Sequence, residues 1–200
     1  MRVIDCRQNS EAWERLRARP TASQFYRFTT PVRGDYAKAA GKYACEIVAK
    51  RLGIHIEPPP STAMEWGTHY EPDARAAYAA RTGREVTEVG FVVPDDTDAY
   101  GGSPDGLVGD DGLLEIKCPQ ATTIIEWIDE CRLPDQFRPQ IQGLLLITGR
   151  QWCDFYAWHP RPLSFTVRVE ADLKYQVKIA DNLVQLLERI EQIEHRVTGE

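Results

Sequence analysis

Two carboxylates and a lysine stand out by their spacing. Asp105 follows Pro104, and Glu115 and Lys117 lie in the run Leu114-Glu115-Ile116-Lys117, which gives the pattern PD-x9-E-x-K. If residues 113–118 form a strand, successive side chains leave by opposite faces. Glu115 and Lys117 then share one face, while Leu114, Ile116 and Cys118 point the other way into a core. Asp110-Asp111-Gly112 is a hairpin turn signal, and a hairpin there brings Asp105 across to Glu115. Two carboxylates that converge in this way suit a hard divalent cation such as Mg²⁺, which takes oxygen ligands and keeps several waters. A cation so held activates water and neutralises charge on a phosphoryl group. Lys117 beside it would orient the attacking water or stabilise the transition state. Taken singly the pieces are ordinary. Glu and Lys two apart on a strand are commonly a solvated face, and Pro-Asp-Gly is a common turn. Their combination on one hairpin with an apolar reverse face is what points to chemistry.

The rest of the chain must position these groups. Ser10 is placed to cap a short helix containing Trp13, Leu16 and Arg17. Thr21-Ala22-Ser23, after Pro20, can cap a further short turn. Ala-, Lys- and Glu-rich residues 35–52 predict a helix that Gly53 stops. A proline loop at 57–60 follows. Ser61 then caps a helix that ends before Gly83, with Met64, Tyr70, Ala74, Ala77 and Tyr78 at core spacing. Pro72 predicts a kink or break near Tyr70 and Glu71. Residues 86–93 read as one strand, 99–108 as a turn-rich stretch and 113–118 as a firm strand. Residues 122–131 and 135–147 read as helices, with Pro134 in a favoured starting position. Strands are expected at 151–158 and 164–169, and a long amphipathic helix at 171–197. The expected fold is α/β (α+β) with a mixed central sheet flanked by helices. The expected organisation is a single domain over 1–200: N-terminal helices 1–83, a catalytic core 84–170 and a C-terminal helix 171–200.

Composition narrows the classes. The chain has 200 residues, 24 Lys and Arg against 30 Asp and Glu, and a net charge of −6. That balance excludes a protein that coats nucleic acid through bulk charge. It leaves room for a DNA enzyme with basic residues gathered in one channel. The cysteines, Cys6, Cys45, Cys118, Cys131 and Cys153, are scattered and form no C-x-x-C pair. Buried reduced thiols are therefore expected, not a disulfide framework or a zinc site. The N-terminus is charged, without the apolar stretch of a signal peptide, and the apolar run at 141–148 is too short to span a bilayer. A cytoplasmic protein with no membrane association is expected. There is no G-x-x-x-x-G-K-[ST] or G-x-G-x-x-G, so a nucleotide-binding enzyme finds no support.

Several collinear motifs carry a resemblance. They are WERLR (13–17), TAS (21–23), EWGTHYE (65–71), SPDGL (103–107), LEIKCP (114–119) and PQIQ (139–142). With PD-x9-E-x-K they make the chain resemble the PD-(D/E)XK nuclease superfamily, and within it the phage lambda exonuclease and YqaJ-type viral recombinase family. The resemblance covers residues 13–142. It implies a Mg²⁺-dependent 5′→3′ exonuclease on linear double-stranded DNA, acting in a bacterial or phage-infected cell. Such an enzyme leaves 3′ single strands for a single-strand-annealing recombinase partner. It further implies a homotrimeric ring around the DNA and two Mg²⁺ per active site, with Mn²⁺ able to substitute.

The resemblance also assigns roles. Asp105 and Glu115 become metal ligands, with the backbone carbonyl of Ile116 as a third. Lys117 becomes the catalytic lysine. Glu71 becomes the helix-borne acid near a second metal, and Gln140 points into the site. Arg17 and Ser23 match residues that hold a 5′-terminal phosphate, for which an arginine fork is suited. Met64 matches an apolar wedge between terminal base pairs. One departure stands out: an arginine expected shortly after K-C-P is replaced by Thr123, with Arg132 or Arg33 as candidates to take its place. Two rival readings remain at this point. One is a structure-selective or restriction-like endonuclease of the same fold. The other is a non-catalytic DNA-binding module.

Overall fold

The structure is a computed structural model and describes residues 1–54 and 62–199. The proline loop and the Ser61 cap lie outside the described residues. The chain opens with a short strand, β1 (Arg2–Ile4), that sequence reading missed, followed by helix α1 (Glu11–Leu16). Ser10 caps α1 as its residue type predicts, its hydroxyl accepting from the Trp13 amide at 3.3 Å. A 3-10 turn over Ala22–Arg27 comes next. Helix α2 (Ala40–Arg51) begins later than the predicted residue 35. Residues 28–37 fold back on themselves instead. Thr30 donates to the Asp35 carbonyl at 2.8 Å, Ala37 donates to that of Phe28 at 2.9 Å, and Gly34 turns the chain at φ +73.

Helix α3 (Thr62–Thr82) runs through Pro72 without interruption, so the predicted break is absent. Pro72 removes one backbone donor. Burial of Ala74 and Tyr78 against the sheet holds the helix across that gap. The predicted strand 86–93 is two strands, β2 (Val86–Thr87) and β3 (Phe91–Val93), in different sheets. They part at Gly90, where a Cβ would sit 1.9 Å from the Cys6 carbonyl oxygen. Then follow β4 (Gly106–Val108), β5 (Gly112–Lys117), α4 (Ala121–Glu130), α5 (Arg138–Thr148), β6 (Trp152–His159), β7 (Leu163–Glu170) and α6 (Leu173–Thr198). Apart from β4, which ends the stretch read as turn-rich, these lie within a few residues of their predicted ranges. Residues 135–137 form a 3-10 turn before α5.

The main sheet has five strands in the order β2-β4-β5-β6-β7, and β1 pairs with β3 in a separate ribbon. The fold is a mixed α/β sheet flanked by helices. β5 and β6 run parallel, with α4 and α5 in the crossover, and the other pairs are antiparallel. Both faces of β5 are covered. Leu114 and Ile116 pack with Ala74 and Tyr78 of α3. Leu113, on the opposite face, packs in the larger core with Ile124, Ile141, Phe155 and Ile179. An Asp154–Arg168–Tyr78 network fastens α3 to the sheet. Arg168 donates twice to Asp154 at 2.8 Å, and the Tyr78 hydroxyl donates to it at 2.7 Å.

The cysteines differ from expectation. All are free, but only Cys118 and Cys153 are buried. Cys45 lies on the outer side of α2, and Cys131 ends α4 in the left-handed conformation at φ 51. Among the described residues no helix is long and apolar enough to cross a membrane.

Candidate active site

The β4–β5 hairpin builds the centre of the site. Gly106 pairs with Leu114, and the chain turns through residues 109–111 with Gly109 at φ +56, one residue earlier than the predicted turn. This register sets Asp105 at the mouth of the hairpin. Its Oδ2 accepts from the Ile116 amide at 2.6 Å, so the carboxylate is aimed by backbone. Glu115 is only 1 % exposed. Its Oε1 accepts from Gln140 Nε2 of α5 at 2.5 Å and from Lys117 Nζ. Its Oε2 is buried and has no hydrogen-bond partner among the described residues. A buried carboxylate oxygen left this way is costly unless something charged completes it.

Two clefts meet here. The larger, of about 370 Å³, is lined by Met64, Thr68, Glu71, Asp105, Ile116 and Lys117 among others. The smaller, of about 140 Å³, is lined by Arg17, Ser23, Asp105, Glu115, Lys117 and Gln140 among others. Asp105 and Lys117 line both. Each residue to which the resemblance assigns a role (Arg17, Ser23, Met64, Glu71, Asp105, Glu115, Ile116, Lys117 and Gln140) therefore borders one of the two clefts. Met64 corrects its core assignment: it is 61 % exposed and lines the cleft wall. Arg132 pairs with Glu130 and Asp135, and Arg33 pairs with Asp35. Neither lines the two clefts that hold Asp105 and Lys117.

The carboxylates crowd one another in a poorly solvated place. Burial pushes Glu115 up to about 7, against the pull of Lys117 and with help from Asp105. Burial also raises Asp105, which Lys117 and the Ile116 amide offset only in part. Glu71 is raised by burial and then by the Asp105 charge. For Lys117 burial disfavours the ammonium, but Glu115, Asp105 and Glu71 outweigh it and the net direction is up. Lys117 is thus a cation at neutral pH, held among the three acids.

Among the described residues no three His, Cys, Asp or Glu side chains form a ready-made metal cage. The donors that fit a hard cation are Asp105, the open oxygen of Glu115 and the Ile116 carbonyl, with Glu71 beside them. Such a set suits Mg²⁺, which binds through one or two carboxylates and retains water.

Sequence reading missed two supporting residues. Arg75 donates to the Asp105 carbonyl at 3.0 Å and to Glu71 at 2.5 Å, and pairs with Glu88 at 3.1 Å. Its spacing of four from Glu71 on a helix was the available signal. Trp13 donates to Ser103 Oγ at 2.8 Å and carries the Arg17 guanidinium at 4.3 Å from its ring. Arg17 has one long ion pair, to Glu14 at 3.8 Å.

The model of the YqaJ-like viral recombinase domain matches residues 12–151, the stretch that holds every one of these groups. The chain belongs to that family. A solved alkaline exonuclease from Laribacter hongkongensis is 35% identical, with a TM-score of 0.80 over 95% of this chain and 99% of its own. Its complex with dAMP gives 34% identity and a TM-score of 0.79 over the same shares of the two chains. A phage-related exonuclease from Haemophilus somnus shares the fold at 11% identity, with a TM-score of 0.72 over 90% of this chain and 96% of its own. The curated proteins compared give no match. Family membership places the PD-x9-E-x-K hairpin in a setting where nuclease chemistry is the natural reading of its geometry.

Proposed function

We propose that this chain is a deoxyribonuclease, a DNA exonuclease dependent on Mg²⁺. It degrades one strand of linear duplex 5′→3′ and leaves a 3′ single strand for an annealing recombinase. The observation that carries the reading is the buried, partnerless Oε2 of Glu115 beside Asp105 and Lys117. The full set of residues 1–200 acts as one catalytic domain in the cytoplasm of a bacterial or phage-infected cell.

Asp105, Glu115 and the Ile116 carbonyl hold the cation, Glu71 serves a second one, and Mn²⁺ substitutes for Mg²⁺. When bound, such a cation supplies a Lewis acid for the phosphoryl group and lowers the pKa of a bound water. Gln140 and Lys117 fix Glu115 by its other oxygen. Lys117, held as an ammonium, stabilises negative charge that develops at phosphorus. Water oxygen bonds to phosphorus, the bond from phosphorus to the 3′ oxygen breaks, and that oxygen takes up a proton. A deoxynucleoside monophosphate leaves, and the complex of the Laribacter relative with dAMP supports a site of that size. Arg17 and Ser23 grip the terminal 5′-phosphate, which each cycle regenerates on the next nucleotide. Arg17 suits the task because its one carboxylate contact is long. Met64 separates the terminal base pairs. Three copies close a ring on the duplex, which would reconcile a net charge of −6 with DNA binding.

The test is a Mg²⁺ time course on linear duplex labelled at either strand end, with 5′-phosphate and 5′-hydroxyl versions and a closed circle alongside. Loss from the 5′ ends with an intact circle is expected. A nicked or linearised circle would move the protein to the endonucleases. No cleavage with Mg²⁺ or Mn²⁺ would leave a DNA-binding module.

A further inference from the structure

The turn of α3 that carries Glu71 is built from poor helix residues. Gly67 costs the helix backbone entropy, and among the described residues nothing lies within 4 Å of where its Cβ would stand. Pro72 has no amide to donate to the Thr68 carbonyl one turn earlier. Gly67, Thr68 and Glu71 all line the larger cleft. The fully buried anchors of α3, Ala74 and Tyr78, come only after this turn, with Trp66 and Tyr70 packed in part. The helix is therefore weakest where it faces the site.

Arg75 supplies a second hold. Its side chain is 12 % exposed and reaches three places at once. Nε donates to the Asp105 carbonyl at 3.0 Å, one Nη donates to Glu71 Oε1 at 2.5 Å, and the other pairs with Glu88 at 3.1 Å. The Asp105 end of this link is firm. The Asp105 carboxylate accepts from the Ile116 amide, and the next residue, Gly106, pairs with Leu114 in the hairpin. A planar guanidinium carries its donors at fixed angles, so it sets the distance from Glu71 to the Asp105 backbone where a flexible ammonium would not.

We propose that Arg75 is a positioning residue for cation binding: by clamping Glu71 to the backbone of Asp105 it fixes the spacing between the helix-borne and hairpin-borne carboxylates. The inference rests on the reading above that Glu71 serves a cation, and it adds the residue that holds Glu71 in place to do so. Charge and position pull in opposite directions here. Removing the guanidinium takes away a positive charge and releases two acids, Glu71 and Glu88, which by attraction alone would tighten a cation. Glu88 is 69 % exposed, so the charge it regains is screened by solvent. Loss of an outer partner that orients a ligand weakens metal binding about 10–100-fold. On a turn already short of a backbone hydrogen bond, the positional loss wins.

The experiment is a calorimetric Mn²⁺ titration of the full-length chain without DNA. It compares the unaltered protein with Arg75→Ala, Arg75→Lys, Glu71→Ala and the Glu71→Ala/Arg75→Ala pair. Each Arg75 substitution should weaken the Mn²⁺ binding that depends on Glu71 by about 10–100-fold. In the Glu71→Ala background Arg75→Ala should add nothing. Binding at Asp105 and Glu115 should persist throughout, as the internal sign of a folded site. Arg75→Lys keeps the charge and loses only the fork, and it carries the comparison if Arg75→Ala loses its cooperative melt. In cleavage assays the Mn²⁺ needed for half-maximal rate should rise, while the rate at saturating Mn²⁺ stays close to that of the unaltered chain. Unchanged or tighter Mn²⁺ binding in Arg75→Lys, or a further loss in the Glu71→Ala background, overturns the proposal. If the unaltered chain binds Mn²⁺ and digests linear duplex while the Arg75 variants bind equally well, only the clamp falls. If the unaltered chain binds no Mn²⁺, the cation reading falls and the clamp with it.

Discussion

Glu115 has one oxygen held by Lys117 and Gln140 and one buried without a partner. Asp105→Ala or Lys117→Ala should lower cleavage at least ~10³-fold, because the first removes a carboxylate that holds the cation and the second the ammonium that stabilises charge at phosphorus. Glu115→Gln keeps the shape and should abolish divalent-cation binding in a calorimetric titration. The raised carboxylates make a second, signed prediction. In the folded chain Glu115, Asp105 and Glu71 all favour the protonated form more than in the unfolded chain. Their contribution to stability is therefore present at low pH. It is lost as pH rises from the ordinary carboxylate range, about 4, through about 7 for Glu115. In the presence of a chelator the melting temperature should fall between pH 5 and pH 8. Added Mn²⁺ should restore it at pH 8 and do little at pH 5. Insensitivity to the metal at both pH values would sink the assignment of these ligands.

At the scale of elements, α3 must be held at a fixed height for Glu71 to border the same cleft as Asp105. The Tyr78–Asp154–Arg168 network does this one face below. Tyr78→Phe should cost about 1 kcal/mol and Asp154→Ala about 2 kcal/mol in urea denaturation, the latter because it leaves the buried Tyr78 hydroxyl without its acceptor and removes the partner of a part-exposed Arg168. Gly112→Ala should cost about 1–3 kcal/mol, since its Cβ would meet the Trp152 ring at 2.1 Å. Much of this layer was legible beforehand. The hairpin, both helices of the crossover and the long last helix follow from period and turn residues. What escaped was set by tertiary neighbours. Asp35 looks like a helix start, but its amide is taken by Thr30 Oγ1 at 2.8 Å. Residues 86–93 have strand propensity throughout, yet Cys6, far away in sequence, divides them at Gly90. Pro72 signals a break that packing of Ala74 and Tyr78 overrides. The site itself was more legible than the fold, because Asp105, Glu115 and Lys117 fall on one hairpin whose register the turn fixes. Arg75 and Trp13 were harder to find, since their partners at Asp105 and Ser103 lie far along the chain.

For the whole molecule, an end-dependent enzyme encircling its substrate should be processive. With excess unlabelled competitor duplex added after the reaction starts, digestion of the first label should continue at an undiminished rate. Sedimentation at micromolar protein should give a trimer. Rapid arrest by the competitor together with a monomeric sedimentation coefficient would count against the ring.

The parallel pairing of β5 with β6 has one more consequence, for the order in which the site is made. The hairpin that carries Asp105, Glu115 and Lys117 is complete once residue 117 has been synthesised, and it closes through a short loop. Gln140 lies on the crossover, and the strand that covers the flank of Glu115 begins only at Trp152. A ribosome that stalls inside the crossover therefore releases the acidic cluster without the surroundings that order it. On the proposed reading, competence to cut DNA would arrive late in biosynthesis, and translation products that end inside the crossover should show no nuclease activity.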